Sequence, residues 1–158
     1  MSKHELELFA DYFQFYIQDE TSDGIDGESW PEAASDRMLA VKKRAIGVGT
    51  VRNMDVPVTI EVVDSEPTRD AADWDHVVEC SIDLPSGKLV VAGCTDYVPD
   101  AVRIELPHGT YRARISYGSL TSVSEDGLDG DDRYRIQLWP GSTIAVHVVK
   151  FGNPDATR

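Results

Sequence analysis

Four aspartates and two glycines lie within seven residues near the end of the chain, Asp126-Gly127-Leu128-Asp129-Gly130-Asp131-Asp132. Ca²⁺ takes six to eight oxygen ligands, and closely spaced carboxylates with flexible glycines can wrap such an ion. The spacing departs from the EF-hand pattern, however, and no glutamate follows at the distance that would complete it. We therefore predict a solvated acidic loop, and keep a calcium site or small-ligand site as the alternative.

The histidines and cysteines lack the spacing that catalysis requires. Asp75 and His76 could pair as an oriented base, but no nucleophile is specified beside them. His76 is in phase with Val78 and Cys80, which is typical of a histidine at the edge of a core. Cys80 and Cys94 are too far apart for a C-x-x-C site, so we expect free thiols, with a disulfide between neighbouring strands left open. We predict no enzymatic activity, no cofactor and no metal.

Aromatic side chains beside acidic loops are the most specific binding feature of the sequence. Trp30 follows the acidic segment 19–28, and Trp74 lies in the polar segment 65–75. An aromatic anchor with carboxylates around it suits a basic protein partner. The alternative is that both tryptophans cover an open end of the fold. The residues that we predict to bind a partner are loop carboxylates and one tryptophan: Asp23, Asp26, Glu28, Trp30, Asp126, Asp129, Asp131 and Asp132.

The charge balance narrows the classes of partner. The 158 residues contain 28 Asp and Glu against 15 Lys and Arg, which gives a net charge of −13. Such a surface repels nucleic acid and anionic membranes, and it suits a basic partner or simply solubility. No segment has the pattern of a signal peptide or a membrane-spanning helix. We expect one cytoplasmic domain over residues 1–158, frayed from residue 153 onwards; the sequence specifies no oligomeric state.

Short stretches of alternating apolar and polar residues recur along the chain, with the period of two that is typical of strands with one buried face. They cover residues 46–50, 56–62, 76–84, 89–92, 134–138 and 144–148. Pro57 in the second stretch predicts an edge strand or a bulge. Residues 102–117 alternate on both sides of Pro107-His108-Gly109 and predict a β-hairpin. Its wet face would carry Arg103, Arg112 and Arg114, which could bind an anion or pair with carboxylates.

Two further segments complete the predicted fold. Residues 6–18, with several aromatic residues in one phase, predict a single core strand. Ser29-Trp30-Pro31-Glu32 has the features of a helix start, and the alanine-rich residues that follow predict one short helix ending near Lys42-Lys43-Arg44. We therefore predict an all-β fold, an antiparallel β-sandwich of eight or nine short strands with one short helix.

The chain resembles competence protein J, a small acidic inhibitor of a bacterial DNA-entry nuclease. The resemblance rests on Asp11-Tyr12-Phe13-Gln14-Phe15, Trp30 before an alanine-rich helix, Arg52-Asn53 before residues 58–62, Leu106-Pro107-His108-Gly109-Thr110-Tyr111, and Asp132-x-Tyr134-x-Ile136. These pieces occur in the same order between residues 8 and 139. The resemblance implies a compact β-sandwich that binds a nuclease or another basic toxin stoichiometrically. The loops 65–75 and 122–132 are longer than the family pattern, and such surface segments decide partner choice.

Overall fold

Two β-sheets share one hydrophobic core in the computed structural model of this chain, which describes residues 2–155. The strands, numbered in chain order, are β1 Ser2–Phe9, β2 Gln14–Asp19, β3 Leu39–Lys42, β4 Ala45–Gly49, β5 Asp55–Val62, β6 His76–Leu84, β7 Lys88–Gly93, β8 Val102–Glu105, β9 Gly109–Gly118, β10 Arg133–Pro140 and β11 His147–Lys150. The α-helix α1 spans Glu32–Asp36, and 3-10 turns cover Asp11–Phe13, Gly27–Ser29, Ala71–Asp73 and Val98–Asp100.

The strand order is β1-β5-β10-β9-β6-β11 in the six-stranded sheet and β3-β4-β2-β7-β8 in the five-stranded sheet. The pair β5 and β10 is parallel, whereas the other neighbouring strands are antiparallel. The predicted β-sandwich is confirmed. The described residues form eleven strands because one predicted strand divides into two and part of the predicted helix is a strand.

Alternating side chains form the core, as the periodicity predicts. On β5, Val56, Val58 and Ile60 are buried and the intervening residues are more exposed. They belong to the same core cluster as Phe15 and Ile17 on β2 of the other sheet. Full burial of one such side chain stabilises the fold by about 1.5–3 kcal/mol relative to exposure, which fixes the inward face of each strand.

The predicted single strand over residues 6–18 is wrong, because the chain leaves one sheet and enters the other within it. β1 lies at the edge of the six-stranded sheet and β2 lies inside the five-stranded sheet. Between them, Tyr12 and Phe13 take φ angles of 57° and 59°. Two consecutive residues in the left-handed region interrupt the extended backbone, so no continuous strand runs through residues 6–18.

The predicted helix is also shorter than expected. Ser29 belongs to a 3-10 turn, in which it exchanges hydrogen bonds with Asp26, and α1 comprises only five residues. Met38 then takes a φ of 61° and ends the helix. The next residues pair with β4 as strand β3, from Leu39 opposite Val48 onwards. Pairing and burial in the sheet outweigh the helix propensity of these alanine- and leucine-containing residues.

Residues 102–117 are not a hairpin. β8 pairs with β7 in the five-stranded sheet, whereas β9 lies between β10 and β6 in the six-stranded sheet. Pro107-His108-Gly109 therefore connects the two sheets. Ile104 and Ile115 are buried as the alternation predicts, but alternation alone does not determine which sheet a strand joins.

Pro57 lies on an interior strand, contrary to the predicted edge strand or bulge. β5 lies between β1 and β10, and Pro57 is opposite Glu7 of β1. The pairing of β5 with β10 begins only at Val58, opposite Tyr134. Proline is tolerated because no strand needs an amide hydrogen from this position.

The hairpin arginines predicted on a wet face have separate structural roles. Arg114 is buried, and its Nε donates a 2.7 Å hydrogen bond to Glu79 under the 65–75 segment. Arg103 binds Glu20 at 2.9 Å, and Arg112 binds Ser142. Burial alone would raise the pKa of Glu79, but hydrogen bonds from two arginines hold it below its ordinary value.

The end of the described chain is held in place. Asn153 is buried and its Nδ2 donates to the backbone oxygens of Ser35 and Asp36, so the predicted fraying does not begin at residue 153. Residues 156–158 lie outside the described part of the chain. Within residues 2–155, no helix combines the length and the apolar character needed to cross a membrane.

Candidate protein-binding surface

The corner between β1 and β2 exposes two aromatic side chains on a strained backbone. Tyr12 is 68% exposed and Phe13 is 44% exposed. Left-handed φ angles cost roughly 1–2 kcal/mol for a residue with a side chain, and such strain concentrates at functional sites. The corner is held by backbone hydrogen bonds from Phe13 N to Ala10 O and from Thr50 N to Phe13 O, of 3.1 and 2.9 Å.

A cleft of about 450 Å³ opens on one side of this corner, with Trp30 in its wall. The indole Nε1 of Trp30 donates a 3.1 Å hydrogen bond to Gln14 Oε1, which also accepts one from Tyr16. The ring lies against Gly47, where an added Cβ would come within 2.9 Å of Trp30 Cζ2. Trp30 is therefore half-buried and fixed in orientation beside Tyr12 and Phe13.

The acidic loop, residues 122–132, lies on the other side of the corner. Its Gly127 carbonyl accepts a 2.8 Å hydrogen bond from Asn53 N, and a second depression is lined by Phe13 together with Asp126 and Gly127. An added Cβ at Gly127 would lie 3.4 Å from the Phe13 ring. Close packing of this loop on the turn 50–54 places Asp126 next to Phe13, and the other exposed aspartates of the loop follow within five residues.

Three of the four predicted aspartates in this loop are exposed, namely Asp126, Asp129 and Asp131. Hydrogen bonds from Ser124 and from the Leu128 amide lower the pKa of Asp126, so this carboxylate is charged at neutral pH. We define the corner surface as Tyr12, Phe13, Trp30 and these three aspartates.

Asp132 is fully buried, so its predicted place on a partner-binding surface is wrong. Its Oδ1 forms a 2.8 Å ion pair with Arg52 Nε, and its Oδ2 accepts a 2.6 Å hydrogen bond from Tyr134. Tyr134 in turn accepts a hydrogen bond from the amide of Val51. The pKa of Tyr134 is raised well above its ordinary value, mainly by burial and secondly by the hydrogen bond to Asp132. Asp132 attaches the acidic loop to the turn 50–54.

The predicted residues of segment 19–28 have basic neighbours. Asp26 lies 3.2 Å from Lys42 Nζ, and hydrogen bonds from Ser29 and Lys42 lower its pKa. Asp23 lines a depression with Lys42 and Arg44, whereas Glu28 is exposed in the 3-10 turn that precedes Trp30. The structure joins this segment to the corner surface through Trp30 only, and its negative charge is partly compensated.

The side chains that could support catalysis, His76 and Asp75, already form hydrogen bonds within the protein. His76 is buried; its Nε2 donates to Arg37 O at 2.7 Å and its Nδ1 accepts from Gly152 N at 2.9 Å. Burial lowers the pKa of His76 despite the hydrogen bond to Arg37, which favours the neutral ring. Asp75 accepts a hydrogen bond from the Leu120 amide. Neither His76 nitrogen is available to act as a base on a substrate.

The calcium alternative finds no assembled site. Among residues 2–155, no three His, Cys, Asp or Glu side chains are grouped so that they could hold a metal ion. Cys80 and Cys94 are free thiols, as expected. Cys80 lies on β6 and Cys94 follows β7, which belong to different sheets, so a bridge between neighbouring strands does not form. Burial raises the pKa of Cys80 to about 12.

Trp74 is not an exposed anchor. Its ring is buried on the outer side of the six-stranded sheet, with the Cζ atoms of Arg133 and Arg135 at 3.9 and 4.6 Å from the ring centroid.

The sequence did not predict the exposed pair Tyr12 and Phe13, because alternation with Phe15 and Ile17 assigned the corner to a strand. Neither residue is a typical turn former, so no turn signal marks the corner.

No protein-family model and no curated protein matches this sequence. Among solved structures, the chain is similar to ComJ from Bacillus subtilis, the inhibitor of the DNA degrading activity of NucA. The TM-score is 0.67 at 17% sequence identity, over 87% of this chain and 96% of ComJ. It is also similar to a protein described as Crocagin biosynthetic gene J, with a TM-score of 0.61 at 21% identity, over 90% of this chain and 100% of the other. The predicted resemblance to competence protein J is confirmed in the fold.

Proposed function

We propose that this chain is a non-enzymatic inhibitor that binds a basic partner protein, and that the partner is a nuclease. The corner surface carries the proposal, because it combines two exposed aromatic side chains with three exposed carboxylates. Aromatic anchors with a polar rim are the usual source of binding energy at protein interfaces. The likeness to ComJ over most of both chains supports this class of role, although a fold by itself does not define a partner.

The aromatic pair is suited to anchor a partner. The left-handed backbone holds Tyr12 and Phe13 outward, and the hydrogen bonds of Ala10 and Thr50 fix the corner before binding. A surface that is ordered in advance loses little conformational entropy on association. We expect Tyr12 and Phe13 to enter pockets on the partner.

The carboxylates are suited to steer and orient the partner. The sites at which nucleases bind DNA are basic, because they neutralise phosphates. A protein with a net charge of −13 and three exposed carboxylates in the loop beside its anchors would approach such a site quickly and occupy the positions of phosphates. Bound there, it would exclude DNA without catalysing a reaction. We also propose a cytoplasmic location, which two free thiols suit.

The proposal is tested by measuring DNA degradation with two kinds of enzyme. One is NucA, and the others are nucleases that bind this chain in a lysate of its source organism at low and at high salt. Titration with the purified chain is expected to inhibit at least one of these nucleases at a stoichiometry of one to one. Tyr12→Ala with Phe13→Ala should weaken inhibition at least tenfold. Phe151→Ala is the control, because Phe151 is also an exposed aromatic side chain, at 53%, and lies outside the corner surface.

The charges are tested by two triple variants that change the net charge equally, from −13 to −10. The first replaces the exposed aspartates of the corner surface: Asp126→Asn, Asp129→Asn and Asp131→Asn. It should slow association and flatten its dependence on salt.

The second triple variant replaces the carboxylates of segment 19–28: Asp23→Asn, Asp26→Asn and Glu28→Gln. Because basic side chains already compensate part of this charge, a smaller effect is expected. Equal effects of the two variants would mean that only net charge matters. No inhibition of any recovered nuclease, together with no basic protein bound, would refute the proposal.

The cleft beside Trp30 supports a second candidate function, the binding of a small ligand. Its volume of about 450 Å³ is within the range of ligand sites, and Phe13, Trp30 and Asn153 line it. A ligand would change the fluorescence of Trp30 and raise the melting temperature of the chain. Screening metabolites by these two measurements tests this alternative, and Trp30→Phe is the control for the optical signal.

A further inference from the structure

No other strand of the described chain pairs with the outer edge of β1, and the end of β7 lies against this edge only at Phe9, where an added Cβ at Gly93 would come 2.2 Å from the Phe9 carbonyl oxygen. Strand β1 pairs with β5 on one side, in unbroken register from Ser2 opposite Val62 to Phe9 opposite Asp55. It contains no proline and no bulge. Natural proteins usually block edges of this length, because unpaired amide and carbonyl groups accept an additional strand.

The hydrogen-bond register shows which backbone groups are available. Ala10 N donates to Met54 O at 3.0 Å, and the register places these two residues opposite each other. In an antiparallel pair, hydrogen-bonded and non-bonded residue pairs alternate. His4, Leu6 and Leu8 therefore bond to β5, whereas the amides and carbonyls of Lys3, Glu5 and Glu7 point away from the sheet.

A groove of about 280 Å³ lies at the Glu7-Leu8 end of this edge and is bounded on its far side by β8, which is also an edge strand. We call it the lateral groove. Glu7 and Leu8 contribute one wall, and Tyr97, Asp100 and Val102 contribute the other. Tyr97 and Val102 are 70% and 42% exposed, so apolar surface remains uncovered beside the open strand.

The charge around the lateral groove is mainly negative. Glu5 and Glu7 project from β1, and Asp96 and Asp100 lie on the opposite wall. Lys3 is the one lysine or arginine of β1, and its Nζ lies 3.7 Å from Glu5. Complementarity therefore favours a basic occupant. A second copy of this chain, with its own charge of −13, would be repelled.

We propose that β1 binds an extended basic segment of a partner protein as an added strand. The main chain of that segment would bond to Lys3, Glu5 and Glu7, and alternate side chains would enter the lateral groove. Its basic side chains would meet Glu5, Glu7 and Asp100. This site is separate from the corner surface, and it stands whether or not the chain inhibits a nuclease.

The test uses a capped eight-residue peptide of alternating lysine and valine, titrated into the isotopically labelled full chain and followed by NMR. We expect chemical-shift changes and slower hydrogen exchange at the amides of Lys3, Glu5 and Glu7, with smaller shifts at Tyr97 and Val102. A peptide of the same sequence, N-methylated at every residue, has no amide hydrogen left to donate to the carbonyls of β1 from either edge. It should bind at least fivefold more weakly.

Matched variants separate backbone pairing from charge. Glu5→Ala removes the carboxylate and keeps the amide, whereas Glu5→Pro removes both and leaves the bonds to β5 intact. The proline variant should bind the peptide at least fivefold more weakly than the alanine variant. If the proline variant does not fold, the N-methylated peptide alone decides the matter.

Three outcomes would overturn the proposal. The first is equal binding of the N-methylated and the parent peptide. The second is that the chemical-shift changes fall on Tyr12 and Phe13 and not on β1. Alternatively, light scattering would show a dimer in which the Glu5 amide is already protected without peptide, so that a second copy would be the occupant. Any of these results leaves the nuclease proposal to its own assay.

Discussion

The left-handed backbone at Tyr12 predicts that glycine is preferred to alanine at this position. A positive φ costs a residue with a side chain about 1–2 kcal/mol, and glycine escapes this cost. Against this, glycine loses about 0.4–1 kcal/mol more conformational free energy on folding than alanine. Both variants lose the same side chain, which is 68% exposed and contributes few contacts. We expect Tyr12→Gly to exceed Tyr12→Ala in free energy of unfolding by about 0.8 kcal/mol, within a range of about 0–1.6 kcal/mol.

Tyr97 provides the control, because it is 70% exposed and has a φ of −74°. At Tyr97 no left-handed strain opposes the larger loss of conformational entropy that glycine suffers on folding. Tyr97→Ala should therefore be more stable than Tyr97→Gly by about 0.4–1 kcal/mol. The preference between glycine and alanine thus reverses between the two sites.

Urea unfolding of the four variants measures these differences, and melting temperatures should follow by about 2–4 °C per kcal/mol for a chain of this size. If Tyr12→Ala were more stable than Tyr12→Gly by about 0.4–1 kcal/mol, as expected at Tyr97, the corner would not be left-handed in solution. The argument that strain is held at a functional corner would then fail.

Three further predictions concern the residues that hold the surface together. Asp132→Ala leaves Arg52, whose side chain is only 14% exposed, without its ion-pair partner and the buried Tyr134 hydroxyl without its acceptor. It should lower the free energy of unfolding by about 3 kcal/mol, whereas the exposed Asp131→Ala should change it by less than about 0.5 kcal/mol; urea titrations measure both. The folded state holds His76 neutral with a pKa below that of the unfolded chain, which binds a proton near pH 6.5. Stability should therefore fall as the pH is lowered through this value, and His76→Gln should remove part of that slope; an unchanged slope would contradict the assignment. Gly47→Ala would place a Cβ within 2.9 Å of Trp30, so the indole NH resonance of Trp30 should shift while a variant at exposed Gly27, Gly27→Ala, leaves it in place.

Several features of this protein followed from local sequence alone. Val56, Val58 and Ile60 on β5, like Ile115 and Tyr117 on β9, are buried because a strand directs alternate side chains to one side. The β-sandwich class and the free thiols followed from alternation and composition. The acidic character of the loop that carries Asp126, Asp129 and Asp131 also followed directly from the sequence. These features depend on residue type and on neighbours only a few positions away.

Other features were decided by contacts between distant segments. The backbone turns at Tyr12 and Phe13 because the chain must cross from β1 to a different sheet. The residue types at the corner do not predict this turn. Met38 ends the helix because the residues after it pair with β4.

Asp132 has the same residue type as exposed Asp131, yet it is buried by Arg52 and Tyr134 from two other segments. The sequence determined which residues are apolar, polar and charged, and the period with which they alternate. Only the tertiary structure decided which strands are neighbours, which edge stays open and which aspartates face the solvent, because those depend on pairing between residues far apart in the chain.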